Sequence, residues 1–177
     1  EVFPQIVIFE TNKINEILYY SRIPKKICEF VSKGKINKIK ADLSKENKSF
    51  GVRLKHNPTK NYDRKKLEAS AGNIINEITE MNVDLENPDY WFTLFVEDEE
   101  YFLGKDLVHE ELDKRPYKIF NNPQAVKGNI AAAALIFAGF SGKQIILDPF
   151  CRSGEIAIEA ALITANISAW KYEPLEG

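Results

Sequence analysis

The run at 145–162, IILDPFCRSGEIAIEAAL, constrains the fold of this chain more than any other stretch. Ile145, Ile146 and Leu147 form the short apolar run expected of a strand buried on both faces of a parallel sheet. Asp148 then closes the strand, and Pro149, Phe150, Cys151, Arg152, Ser153 and Gly154 make a tight loop. From about Glu155 the residues Ile156, Ile158, Ala160, Ala161 and Leu162 recur at helical spacing. Strand, turn and helix in this order are the unit of open α/β sheets, where ligands sit beyond the carboxyl ends of the strands and glycine permits close backbone approach. The free N–H groups and positive end of the following helix favour a ligand that carries a carboxylate.

At 177 residues and 44% hydrophobic content, the chain can hold one large or two small folded domains. It contains no run of 18 apolar residues and no basic-then-apolar leader pattern, so a cytoplasmic location is expected. Two cysteines, Cys28 and Cys151, and two histidines, His56 and His109, exclude a disulfide framework and make a zinc site unexpected. The net charge of −2 conceals a strong polarisation. Residues 22–66 carry 15 Lys or Arg against 4 Asp or Glu, whereas residues 81–113 carry one Lys against 11 acidic residues. Such an asymmetry points toward nucleic acid.

Along the chain, residues 2–9 favour a strand, 12–22 a short helix with Ile14, Ile17 and Leu18 inward, 27–31 a strand, and 35–43 a second helix. Residues 48–56 alternate cleanly, with Phe50, Val52 and Leu54 on one face and Arg53 and Lys55 on the other. Asp63 makes a good N-cap for a helix with Leu67, Ala71, Ile74, Ile75 and Ile78 inward, ending near Met81. Arg64, Lys65 and Lys66 fill its first turn, where each cation opposes the helix dipole at about 0.3–1 kcal/mol. A polyanion lying across this end reverses that sign. Strands are expected at 90–96 and 101–107 with a turn at 97–100, and Trp91, Phe92, Leu94, Phe95 and Val96 read as core. Asn122 as N-cap and Pro123 at the first helical position predict a helix running through the four alanines at 131–134 toward Gly139.

The order of these segments resembles that of the THUMP-domain RNA methyltransferases that modify guanine N2 in tRNA or rRNA. The resemblance rests on Ser21-Arg22, on K-S-F-G-V-R-L-K at 48–55, on V-D-L-E-N-P-D at 83–89 and on Y-F-L-G-K-D-L at 101–107. The linker D-K-R-P-Y-K at 113–118, the alanine-rich helix and the D-P-F-C-x-S-G turn at 148–154 follow in the family's order. It implies an α/β chain in four parts: a partial ferredoxin-like layer at 1–45, a THUMP-like RNA-binding domain at 46–111, a linker at 112–122 and the first elements of a Rossmann-type methyltransferase sheet at 123–177. It further implies S-adenosylmethionine held by Asp148, Pro149, Phe150, Cys151, Ser153 and Gly154. Structured RNA would be held by Lys25, Lys26, Arg53, Lys55, Arg64, Lys65, Lys66, Lys114 and Arg115. Family members carry a later D/N-P-P-Y/F-type segment around an extruded base. The 177 residues contain none, so the chain reads as an incomplete piece without a catalytic residue of its own.

Two positions depart from the family pattern. Arg152 stands where a glycine follows the cysteine, and is expected to cost backbone energy and to intrude on the cofactor. Glu155 stands where a threonine is usual, and is expected to repel a carboxylate ligand. Two other readings stay open: a non-catalytic RNA-binding module of the same fold, and a DNA adenine-N6 methylase sharing the D-P-F turn.

Overall fold

A computed structural model of the chain describes residues 5–36, 38–56, 63–97, 99–119 and 122–170. The architecture is mixed α/β, and the Cα framework divides into two compact units, one of Glu1–Lys26 with Glu110–Gly177 and one of Ile27–His109.

The 27–109 unit is built on a mixed five-stranded sheet in the order β1-β5-β4-β2-β3. The strands are β1 (Cys28–Lys35), β2 (Ser49–His56), β3 (Asn82–Val83), β4 (Tyr90–Glu97) and β5 (Glu100–Asp106). β1 and β4 run antiparallel to β5, while β3 and β4 run parallel to β2. A single helix, α2 (Arg64–Thr79), joins β2 to β3. Alternation drives the packing: Phe50, Val52 and Leu54 of β2, with Phe92, Leu94 and Val96 of β4, turn to one face and close on Ala71 and Ile75 of the helix. Of the 35–43 segment, expected as a helix, Lys35 ends β1 and the other described residues are irregular. Ile39 enters the same core, the Lys40 N–H donates to the Tyr101 hydroxyl at 2.8 Å, and the Lys40 carbonyl accepts from Ser32 Oγ at 2.5 Å. Side chains of the sheet have taken the backbone partners a helix would have used.

α2 begins as its sequence dictates, with Asp63 Oδ1 accepting from the Lys66 N–H at 3.1 Å. Asp63→Ala is expected to cost about 1 kcal/mol, since an orphan first-turn donor loses its acceptor. Urea unfolding followed by circular dichroism measures this. A second carboxylate on the helix, Glu68, accepts the Leu54 N–H at 2.8 Å and pairs with Arg64 at 3.1 Å.

The other unit contains α1 (Ile14–Tyr20), α3 (Gly128–Phe137) and α4 (Glu155–Thr164). α1 buries Leu18, whose carbonyl accepts from the Trp170 indole at 2.9 Å. Three expectations fail here. The described part of 2–9 makes only an isolated bridge at Val7. The alanine-rich helix starts at Gly128 instead of Pro123: Asn122 Oδ1 accepts the Gln124 N–H at 3.0 Å and its carbonyl accepts the Ala125 N–H at 3.0 Å, so a turn spends the cap. Finally, 145–147 is not a strand, and Ile145 and Leu147 are 100% and 86% exposed. A strand exists only through its ladder, and no other strand in this unit lies among the described residues to provide one. Asp148 therefore ends an unpaired segment. No helix among the described residues is long and apolar enough to cross a membrane.

Candidate functional site: the 148–154 turn and the cationic surface

The turn closes on its own backbone. Asp148 Oδ1 accepts the Phe150 N–H at 3.1 Å, and the Gly154 N–H donates to the Cys151 carbonyl at 2.7 Å. Gly154 is the N-cap of α4 at φ 81°, a left-handed conformation, and no side chain caps the helix. Pro149, Phe150, Cys151 and Ser153 are exposed, while Asp148 and Gly154 are half-buried. Asn122 Nδ2 donates to Ser153 Oγ at 3.2 Å, holding the turn against the start of the alanine segment.

Arg152 adopts φ 47°, so the backbone cost expected of a non-glycine residue is present. Its Nη1 donates to Oε1 of Gln124 at 2.8 Å and to the Gln124 carbonyl at 3.2 Å, which draws the side chain along the 122–124 turn. Because Ala and Gly at 152 both lose these bonds, their difference isolates the backbone term. Arg152→Gly is expected to be about 1 kcal/mol more stable than Arg152→Ala, measured by urea unfolding.

Glu155, in the first turn of α4, is 4% exposed and pairs with Lys118 Nζ at 3.6 Å, so a cation compensates the charge expected to repel a carboxylate ligand. One turn later Glu159 is fully buried, accepting from Arg115 Nε at 2.7 Å and from the Tyr117 hydroxyl at 2.8 Å, with Arg22 Nη1 at 3.9 Å. Arg115 spends its remaining donors on the carbonyls of Leu112 and Arg22, both at 2.5 Å. Gly128 makes room for this cluster, since a Cβ there would stand 2.5 Å from Arg115 Cγ and 2.7 Å from the Tyr117 oxygen. Burial and the Glu159 carboxylate hold the Tyr117 phenol above its ordinary range, and burial lowers Arg22 against the opposing pull of Glu159. The buried stripe of α4 is thus acidic where apolar periodicity placed Ile156, Ile158 and Leu162. The missed signal was the Glu155/Glu159 pair at i,i+4 following an Arg115/Lys118 pair at i,i+3.

The nine expected RNA contacts fall differently. Arg115 is buried in that cluster and leaves the set: its donors serve Glu159 and two carbonyls instead of a phosphate. Lys114 is exposed and lies 3.8 Å from Glu111, Lys25 is exposed, and Lys26 is half-buried. In the other unit Lys65 and Lys66 are exposed at the start of α2, and Arg64 pairs with Glu68. Arg53 and Lys55 project from the opposite face of the sheet, away from α2. The guanidinium of Arg53 lies over the Trp91 ring, 3.5 Å from its centroid. Trp91, expected in the core, is buried at 9% exposure on this second face. Among the described residues no group of three or more His, Cys, Asp or Glu is arranged to hold a metal.

Comparison with known proteins agrees with this division. Residues 35–106 match the THUMP domain, and residues 115–175 match the family described as RMKL-like, methyltransferase domain. The chain is 28% identical over 167 residues to a tRNA (guanine(6)-N2)-methyltransferase of Methanocaldococcus jannaschii, covering 90% of this chain and 44% of that protein. It is 33% identical over 101 residues to the ribosomal RNA large subunit methyltransferase K/L of Vibrio campbellii, covering 54% of this chain and 14% of that one. The crystal structure of a possible methylase from Clostridium difficile 630 shares the fold, with a TM-score of 0.70 at 18% identity over 91% of this chain and 47% of the other. The chain spans less than half the length of each of these proteins. Similarity to a THUMP domain followed by similarity to a methyltransferase domain is the order that the sequence motifs implied.

Proposed function

We propose that the chain is the RNA-binding and cofactor-turn portion of an S-adenosylmethionine-dependent RNA methyltransferase acting on the guanine N2 amino group in tRNA or rRNA. The observation that carries this reading is the alignment with the Methanocaldococcus jannaschii enzyme, which runs through both domains over 90% of the chain. The local chemistry of the turn supports the cofactor. The first-turn N–H groups of α4 have no side-chain cap, and Glu155 is paired with Lys118, which leaves a helix start that favours a carboxylate. Asp148, Pro149, Phe150, Cys151, Ser153 and Gly154 would hold S-adenosylmethionine, which supplies the methyl group when bound. These residues bind and orient; none of them is assigned a proton transfer.

RNA would meet the 27–109 unit on two faces, its phosphates held by Lys65 and Lys66 at the start of α2 and by Arg53 and Lys55 across the sheet, with Lys25, Lys26 and Lys114 as lesser contacts and Arg64 shared with Glu68. Reversing the charges of Lys65 and Lys66 together to Glu is expected to weaken binding of a transcribed tRNA at least tenfold at low salt. Unchanged affinity would remove the helix start from the interface. Isothermal calorimetry with S-adenosylmethionine on the whole gene product tests the other half, and absence of binding there favours the non-catalytic module.

A further inference from the structure

We infer that Gly51, Trp91 and Arg53 form a stacked clamp that presents the Arg53 guanidinium, edge outward, to one RNA phosphate on the sheet face opposite α2. This rests on the reading that the 27–109 unit binds RNA, and it names the group that does so on that face. Gly51 and Trp91 are register partners across β2 and β4. The Trp91 ring lies flat against β2 at Gly51, where a Cβ would come within 2.5 Å of Cζ3 and 2.8 Å of Cε3. A glycine inside a strand weakens it and marks a place of close approach. Here the close approach is the indole, which is left 9% exposed beneath Arg53.

The chemistry of the layer above the ring points outward. Arg53 is half-buried, and among the described residues its guanidinium meets the Trp91 ring and makes no hydrogen bond or ion pair. Lys105 offers the contrast within the same unit. It lies 3.5 Å over the Tyr90 ring, but Glu46 stands 3.9 Å from its ammonium and balances its charge. On the Arg53 face Asp106 Oδ1 accepts from Thr93 Oγ1 at 2.5 Å and from Cys28 Sγ at 3.3 Å. A guanidinium held over an aromatic ring has less freedom left to lose on binding than one in solvent. Its parallel N–H groups match two oxygens of a phosphodiester, a geometry no ammonium reproduces.

The test uses the 177-residue chain and a transcribed tRNA, with fluorescence anisotropy across a salt series. Arg53→Lys keeps the charge and loses the fork, and is expected to bind about tenfold more weakly. Arg53→Ala is expected to lower the salt slope by roughly 0.7–0.9, the equivalent of one phosphate contact. Trp91→Phe, which keeps an aromatic platform and the fold, is expected to lose less than Arg53→Lys. If the parent chain binds tRNA and either Arg53→Lys matches it or Arg53→Ala leaves affinity and slope unchanged, the clamp is wrong while the RNA reading stands. If the parent chain does not bind at all, both fall.

Discussion

Arg115→Ala is expected to remove roughly 3–5 kcal/mol of stability from the unit that contains α1, α3 and α4, because it leaves the fully buried Glu159 carboxylate facing only a neutral phenol and a guanidinium 3.9 Å away. The loss is that of an uncompensated buried charge and should exceed the net worth of the pair. Replacing both partners by apolar residues, Arg115→Met with Glu159→Leu, is therefore expected to recover most of it. Hydrogen exchange of the α4 amides, which follow directly on the 148–154 loop, measures the loss locally. If Arg115→Ala costs less than about 1 kcal/mol, the cluster is solvated and its assigned role is wrong. A pH arm follows from Tyr117. Its pKa is raised in the folded chain, so its contribution is complete below the ordinary phenol value and fades as pH climbs from there toward the folded value.

Leu94→Ala is expected to cost about 2–5 kcal/mol in the other unit. Leu94 is fully buried on β4, the third of five strands in sheet order, between β5 and β2, where neighbours held by backbone ladders on both sides cannot collapse into the space left behind. Urea unfolding monitored by circular dichroism gives the value. Leu94→Met, close in volume, should cost less than about 1.5 kcal/mol.

Much of the 27–109 unit was legible because period-two alternation and capping are local. Phe50, Val52 and Leu54 against Arg53 and Lys55, and Asp63 as N-cap, need no knowledge of the rest of the chain. The failures needed partners far away in sequence. Ile145 to Leu147 has strand composition but gains no ladder among the described residues. The helix expected from Pro123 is delayed by a turn that Arg152, nearly 30 residues on, helps to hold. In the site, the turn before α4 was legible from residue types, while the left-handed backbone at Arg152 followed only from the resemblance that puts glycine there. That Arg115 faces Glu159 was not, since a cation in a linker looks solvated until a buried acid 44 positions later claims it.

The hydrogen bond from the Leu54 amide to Glu68 has a consequence for behaviour at high concentration. β3 covers β2 only at Ser49 and Phe50, so the rest of that long, strongly β-forming strand would offer outward amides as a template for a second copy. Glu68 occupies one such amide with a carboxylate and places a negative charge, held by Arg64, where an incoming strand would have to lie. The salt link at the start of α2 thus also serves as a guard against self-association, and Glu68→Ala should make the protein more prone to aggregate without greatly altering its fold.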